Sequence, residues 1–201
     1  MEFGYYRVSV DPIRGKIPMG EDREIIESSL RCGRDEALKL RERYGAVSAA
    51  EIGDKLGIAV EHKDEQSALD FVYVGLFESP NKITIYNNNI EKAASLLEAL
   101  DITELNTDLK DIVLAHEMFH FIEEHDPNLY SNTRTIDLWS VGKLYTHRSK
   151  LICTGEIAAM SFAKALLGLS FDPNILDYIF LAAFDFNKAD QLFKKMINGR
   201  S

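Results

Sequence analysis

The stretch from His116 to His120 constrains this chain more than any other part of its sequence. It reads H-E-x-x-H, with Glu117 directly after the first histidine. On an α-helix, residues at i and i+4 lie on the same face one turn apart, so both imidazoles can bind one metal ion. The glutamate between them can reach a water molecule on that metal. The spacing therefore predicts a helix that carries a zinc site.

The residues around the motif follow a helical pattern as well. Apolar side chains recur at intervals of three and four residues on the face that holds both histidines: Leu109, Ile112, Val113, His116, Phe119 and His120. Asn106-Thr107-Asp108 suits the start of a helix, and Asp126-Pro127 suits its end. Two imidazoles in apolar surroundings cost free energy unless something satisfies them. This favours a metal site over a pair of core histidines bonded to the backbone.

The composition is that of a folded protein with an acidic surface. Of 201 residues, 46% are hydrophobic and 27% are charged, and the formal net charge is −9. These values predict a globular domain with a real core, and they argue against direct binding of nucleic-acid phosphates. Cys32 and Cys153 alone do not make a secreted disulfide framework. Because the sequence shows neither a signal peptide nor an apolar stretch of membrane length, we expect a cytoplasmic protein and no membrane span.

The N-terminal part predicts one strand and two helices. Tyr5 to Val10 is rich in β-branched and aromatic residues and indicates a strand, which a loop rich in Pro and Gly follows. Residues 21–44 predict a charged amphipathic helix, in which Gly33 could mark a break. Ser48 and Glu51 form a capping box for a second, short helix. A strand is expected next rather than a basic recognition helix, which argues against a helix-turn-helix.

The middle of the chain predicts a β-hairpin, and the rest is mainly helical. Phe71 to Phe77 and Lys82 to Tyr86 have the composition of strands and flank a turn. Helices are predicted at residues 90–100, 107–125, 155–168 and within 174–198, with an irregular stretch at 127–150. The predicted fold class is α+β, mostly helical, with a small antiparallel sheet of about three strands beside the H-E-x-x-H helix.

A catalytic zinc needs a third protein ligand and keeps one coordination position for water. Four side chains after the motif are candidates: His125, Asp126, His147 and Glu156. His125 lies on another face of the motif helix. Asp126 has the spacing of an extended motif that requires glycine at the position of Glu123. His147 could instead act as a fourth ligand that closes a purely structural site.

Glu156 is the favoured third ligand. It begins a predicted helix, one face of which combines it with small and apolar residues: Glu156, Ala159, Met160, Ala163 and Leu167. The alanines allow a neighbouring helix to approach closely, and this would bring the carboxylate onto a metal held by that neighbour. In the first turn of a helix, the charged form of a glutamate is also stabilised by the helix dipole.

Two segments together resemble the ImmA/IrrE family of metallopeptidases. These are Ala115 to Ile122, with the H-E-x-x-H motif, and Glu156 to Leu167, which is similar to the family pattern E-x-x-A-x-x-F-A-x-x-L-L. The run Ala50 to Val60 is similar to the family's opening helix and strand. Met118-Phe119 departs from the commoner Leu-Gly within the motif. The resemblance divides the chain into an N-terminal extension (1–24), a metallopeptidase domain (25–170) and a C-terminal helical extension packed on that domain (171–201).

The resemblance implies a gluzincin-like peptidase with one Zn²⁺ per chain. By position, the ligands would be His116, His120 and Glu156, and Glu117 would be the catalytic glutamate. Known members cleave helix-turn-helix repressors, so the expected partner is a protein or peptide substrate, such as a repressor met in trans, with a role in transcription regulation. The alternative is a non-catalytic binding protein of the same fold that sequesters a repressor or another partner.

Two further features of the site are expected. Peptide hydrolysis usually employs a second donor to the developing oxyanion, and Tyr145, His147 and Tyr178 are the candidates. The strand Lys82 to Tyr86 falls where the family has the strand that borders the active site. A substrate is therefore expected to pair with its main chain by β-augmentation, along Ile83, Thr84 and Ile85.

Overall fold

The computed structural model describes residues 2–64, 72–103, 105, 108–142 and 144–198. The helices among these residues are α1 (Glu2–Ser9), α2 (Asp22–Tyr44), α3 (Ala49–Leu56), α4 (Asn87–Ala99), α5 (Leu109–His125), α6 (Tyr130–Thr133), α7 (Ile152–Leu167), α8 (Ile175–Ala182) and α9 (Phe186–Ile197). The strands are β1 (Ala59–Lys63), β2 (Gly75–Glu78), β3 (Lys82–Tyr86), β4 (Thr135–Val141) and β5 (Tyr145–Lys150). The predicted α+β class is confirmed. No helix in the described part of the chain is both long and apolar enough to cross a membrane.

Helix α7 is the centre of the helical layer and packs mainly against α2 and α5. Its small residues Ala158, Ala159 and Ala163 are fully buried and let both neighbours approach. Phe119 of α5 and Phe162 of α7 fill the interface between their helices, with ring centroids 5.7 Å apart. The bulky residue inside the motif is therefore accommodated by the core. This packing places the predicted motif helix directly against the helix that carries Glu156.

Helix α2 is continuous through Gly33 rather than broken there. A Cβ atom at this position would lie 1.9 Å from the backbone oxygen of Ala158, so the glycine is needed for the close crossing of α2 and α7. Gly45 ends α2, and the predicted capping box of Ser48 and Glu51, which begins α3, is confirmed. Here local sequence signals and tertiary packing agree.

The three-stranded sheet has the order β1-β3-β2 and is mixed rather than antiparallel. The predicted hairpin is confirmed as β2 and β3, whereas β1 pairs with β3 in parallel. Strand β2 is shorter than predicted because residues 72–74 are not part of it, and Phe71 lies outside the described residues. Strand β3 is therefore the centre of the sheet, and β2 forms the edge next to α5.

The stretch at 127–150, predicted to be irregular, contains the short helix α6 and a second hairpin, β4–β5. This prediction was wrong because the hairpin lacks a strong apolar pattern: β5 is mostly polar, and β4 buries Ile136 but exposes Trp139 and Val141. Trp139 is 53% exposed and Val141 57% exposed. The base of the hairpin leads directly into α7, so it adjoins the candidate site.

Tyr5 to Val10 was also predicted wrongly, since the chain forms helix α1 from Glu2 to Ser9. Tertiary contacts override the strand propensity here, because α1 packs against α2, α7 and α9. Its Val8 is fully buried in a small cluster with residues from α2 and α7, including Ile26 and Ile157. Residues 1–24 thus supply part of the core around α7.

Candidate metal centre

Helices α5 and α7 bring three potential ligands to one point. Helix α5 begins at the predicted cap residue Asp108, whose carboxylate accepts a hydrogen bond from the Lys110 N–H. The predicted cap residues Asn106 and Thr107 lie outside the described residues. The ligand group consists of His116 and His120 from α5 and Glu156 from α7. Glu156 lies in the second turn of α7, which begins at Ile152, so the expected first-turn dipole effect does not apply to it.

The distances within this group fit a tetrahedral ion. The two Nε2 atoms of His116 and His120 are 3.2 Å apart. The Glu156 carboxylate oxygens lie 3.7 Å from Nε2 of His116 and 3.6 Å from Nε2 of His120. Ligands bound to zinc at about 2.0–2.1 Å in a tetrahedron are separated by about 3.3–3.4 Å. Two imidazoles and one carboxylate are also a ligand set that zinc prefers, so the residues present fit this metal.

Glu123 fixes the tautomer of His120. Its Oε2 lies 3.2 Å from Nδ1 of His120, and a carboxylate can only accept a hydrogen bond. The Nδ1 atom therefore carries the proton in the neutral ring, and the Nε2 lone pair points at the other two ligands. His116 differs, because its Nδ1 is buried without a hydrogen-bond partner among the described residues.

The ionisation of the three ligands follows from their burial and mutual charge. Burial lowers the pKa of His116 to about 3, which keeps this imidazole neutral. Burial also acts to lower the pKa of His120, but the hydrogen bond that its Nδ1–H donates to Glu123 and the charge of Glu156 raise it overall. For Glu156, burial is outweighed by the two histidines, which lower the pKa of its carboxyl. The group thus offers one anionic oxygen and two imidazole nitrogens to a cation.

Glu117 is held beside the ligands by the edge of the sheet. Its Oε2 accepts a hydrogen bond of 2.9 Å from the backbone N–H of Phe77 on β2. Close approach of β2 to α5 requires Gly75, because a Cβ there would lie 2.5 Å from Val113 and 2.9 Å from Glu117. Burial raises the pKa of Glu117, although the charge of His120 and the Phe77 N–H oppose this. A carboxylate with a raised pKa is a better proton acceptor near neutral pH.

Two cavities open on this group of residues. The main cleft, about 800 Å³, runs between β2 and the start of α7 and is bordered by His116, Glu117, His120 and Glu156. The rear pocket, about 150 Å³, shares His116, Glu117 and Glu156 with the cleft and is also lined by Arg7 of α1. The ligands therefore lie between a wide cleft and a narrow, more enclosed pocket.

The other predicted third ligands lie elsewhere. His125 packs on Phe121, with its Nδ1 2.8 Å from that residue's carbonyl oxygen. Asp126 ends α5 through its backbone N–H. His147 stacks on Trp139 in the β4–β5 hairpin and does not belong to the ligand group. Within the described chain, the expected fourth ligand of a closed structural site is therefore missing.

The predicted oxyanion donors are not at the site. Tyr145 and His147 lie on β5 beside Trp139, and Tyr178 packs on Phe193 of α9. None of the three lines the main cleft or the rear pocket as described. All three residues follow the motif in the sequence and can donate a proton. These two properties do not determine where the β4–β5 hairpin and α8 lie in the fold.

The predicted substrate strand is also wrong. Ile83, Thr84 and Ile85 belong to the central strand β3, which is hydrogen-bonded on both sides, and all three are buried. The edge strands of this sheet are β1 and β2, and β2 is the one that lines the main cleft. The carbonyl oxygen of Val74 accepts a hydrogen bond from the Tyr86 N–H. Hydrogen-bonded and non-hydrogen-bonded positions alternate along an antiparallel pair, so the backbone N–H and C=O groups of Gly75 and Phe77 point away from β3 and towards the main cleft.

Sequence reasoning missed three polar residues of the site. Glu123 could have been found, since it follows His120 by three residues on the same helix and so lies on the same face. Arg7 and Asp177 could not, because they come from α1 and α8 and meet only in the folded chain. Their side chains form an ion pair of 2.5 Å, and both residues line the rear pocket.

The chain matches no known protein family, no curated protein and no solved structure. The resemblance to the ImmA/IrrE family therefore stays a prediction from the two motif segments.

Proposed function

We propose that this chain is a zinc-dependent metallopeptidase that hydrolyses peptide bonds. The observation that carries the proposal is the ligand group of His116, His120 and Glu156, whose donor atoms have the separations of a tetrahedral zinc site. Glu117 supports it further, since it faces the same cleft without belonging to the ligand group. Three protein ligands leave one position open, which is typical of catalytic rather than structural zinc.

In this mechanism His116, His120 and Glu156 hold the metal, and Glu117 moves the proton. Bound zinc lowers the pKa of a water molecule towards neutrality and polarises a carbonyl group. Glu117 accepts a proton from the attacking water and later delivers it to the leaving amine. The Phe77 N–H keeps its carboxylate oriented, and burial gives it the raised pKa that suits a general base. Glu123 keeps His120 in the tautomer that a ligand requires.

The substrate is proposed to lie as an extended segment along β2. The N–H and C=O groups of Gly75 face the main cleft and are suited to pairing with another main chain. Strand addition of this kind binds the main chain of the substrate and needs little side-chain complementarity. It therefore suits a segment of an unfolded or partly unfolded protein. A helix-turn-helix repressor met in trans is the proposed substrate, on the strength of the sequence resemblance. Both cysteines are free in the structure, which suits the cytoplasm as the proposed compartment.

The first experiment measures bound metal and cleavage on the same protein samples. We expect about one zinc per wild-type chain and a marked loss of zinc in Glu156→Ala, because two imidazoles alone bind the ion more weakly. Glu117→Gln should keep the metal and lose cleavage of an unfolded test protein, since glutamine preserves the Phe77 hydrogen bond but accepts no proton. Glu98→Gln, an exposed change on α4, is the matched control and should leave both unchanged.

Each result bears on a different part of the proposal. Cleavage that persists in Glu117→Gln would rule out the mechanism. Full biological activity of that variant without any cleavage would support the alternative, a protein that binds and sequesters its partner. Wild-type protein that takes up no zinc even when zinc is added would refute the metal centre itself.

A further inference from the structure

The rear pocket has the properties of a binding site for one apolar side chain. It is separate from the main cleft but opens on the same His116, Glu117 and Glu156. Its walls come from six apolar side chains on four different parts of the fold: Val74, Ile112, Val113, Met160, Leu176 and Phe180. An engineered cavity of about 150 Å³ with aliphatic and aromatic walls holds one benzene molecule. The rear pocket has a similar volume of about 150 Å³, so it suits a leucine, methionine or phenylalanine side chain.

The charged residues that line the pocket disfavour a charged occupant. They are Arg7 and Asp177, which form an ion pair, and the glutamates Glu117 and Glu156. A lysine or arginine side chain entering this space would lose its hydration. The carboxylates that could compensate already have partners, since Asp177 is paired with Arg7, Glu117 accepts the Phe77 N–H and Glu156 faces the two histidines. An aspartate or glutamate side chain would meet three carboxylates at close range. An uncharged apolar side chain meets neither penalty.

Arg7 also has a hydrogen-bond donor without an acceptor. Its Nη2 donates to Asp177, whereas its Nε is buried with no partner among the described residues. A buried donor that lacks a partner lowers stability, so an acceptor supplied by a ligand would be favourable here. The carbonyl groups of an extended peptide are such acceptors, and one of them adjoins any side chain that enters the pocket.

We propose that the rear pocket binds one apolar side chain of the peptide, next to the bond that is cut, while the Nε–H of Arg7 donates to a carbonyl oxygen of that peptide. The proposal rests on the peptidase function for the identity of the ligand. It adds a substrate class: segments with leucine, methionine or phenylalanine at one position beside the cleaved bond. It also gives the N-terminal helix α1 a role in substrate recognition.

Binding is tested on metal-free protein, so that the result does not depend on catalysis. The probes are N-acetyl-leucinamide and the corresponding lysine and glutamate derivatives, and the readout is the NMR signal of the Met160 methyl group. We expect the leucine probe to shift this signal saturably at millimolar concentration and the charged probes to have little effect. Met19 and Met196, which do not line the pocket, provide internal control signals.

Three variants identify the pocket and the arginine. Val74→Trp places a large ring at a partly exposed wall and should abolish the Met160 shift, whereas Leu38→Trp, at an exposed position on α2, should leave it unchanged. Arg7→Lys retains a cation for Asp177 but removes the Nε–H, and should weaken binding by about tenfold. No Met160 shift, or an equal shift with all three probes, overturns the proposal.

Cleavage by zinc-loaded protein then separates this proposal from the peptidase function. In a mixture of peptides, we expect apolar residues to be enriched at one position beside the cut, and Val74→Trp to remove that preference. Cleavage without such a preference would refute the role of the pocket and leave the peptidase intact. A Met160 shift without any cleavage would refute the peptidase and leave the pocket as a ligand site.

Discussion

Gly33 lies at the closest approach of α2 and α7, and replacing it with alanine tests how rigidly the metal centre is supported. A Cβ at this position would lie 1.9 Å from the oxygen and 2.7 Å from the carbon of the Ala158 carbonyl. It would also lie 2.9 Å from the backbone nitrogen of Phe162. All three atoms are backbone, so no side-chain rotation can relieve the contact. Increasing the shortest distance from 1.9 Å to at least 3.0 Å displaces one helix by about 1.1 Å.

This displacement should lower both stability and metal affinity. Overpacking costs about 3 kcal/mol when the surroundings are rigid, and the higher helix propensity of alanine offsets about 1 kcal/mol, which leaves a net loss of about 2 kcal/mol. For a protein of this size, that corresponds to a decrease in Tm of about 4–8 °C. Ala158 is two residues from Glu156, and metal–ligand distances tolerate only about 0.2 Å, so zinc should bind more weakly as well.

Thermal unfolding and a chelator competition would measure the two effects. Gly15→Ala is the matched control, because a Cβ at Gly15 meets no atom within 4 Å. It should change neither Tm nor zinc affinity. A Gly33→Ala protein that is as stable as the wild type, or about 1 kcal/mol more stable as helix propensity alone predicts, would show that the two helices do not cross as closely as described.

Other predictions concern the residues around the ligands. Glu123→Gln should weaken zinc binding by about 10–100-fold in a chelator competition, since it removes the carboxylate that orients His120, and unchanged affinity would exclude that role. Because the pKa of His120 is raised and that of His116 is lowered to about 3, protons compete with zinc chiefly at His120. Zinc affinity should therefore fall as the pH decreases through the raised pKa of His120, and calorimetry should show this fall shifted to lower pH in Glu123→Gln. Arg7→Leu should cost about 1–3 kcal/mol in urea unfolding because it leaves Asp177 without its cation. The double variant with Asp177→Leu should recover part of that loss, and additive losses would show that the two residues are not coupled.

Local signals predicted the parts of the fold that depend on neighbouring residues in the sequence. The capping box at Ser48, the cap at Asp108 and the helical face that joins His116 to His120 are all contained within a few turns of chain. Glu156 was also found from its own helix, because alanines one turn away indicated a close helix contact. The sequence could therefore predict the three ligands without knowing how α5 and α7 are connected.

The errors have a common physical origin in long-range contacts. The composition of Tyr5 to Val10 favours a strand, but packing on α2 and α7 makes it a helix. The pattern of Lys82 to Tyr86 correctly indicates a strand, yet it cannot show that β1 pairs on its second side and removes it from the edge. The hairpin β4–β5 was missed because β5 is mostly polar and the register of β4 is irregular between Asp137 and Trp139.

The ion pair between Arg7 and Asp177 joins residues that are 170 positions apart in the chain. Contacts of such high sequence separation form late, because a long loop must close before they contribute any stability. During synthesis, both histidines and Glu156 are made before α8. Arg7 is made first of all, but its partner Asp177 is made only as part of α8. The rear pocket is therefore completed only after α8 has been synthesised, so a nascent chain that ends before α8 carries the candidate ligands without the complete pocket.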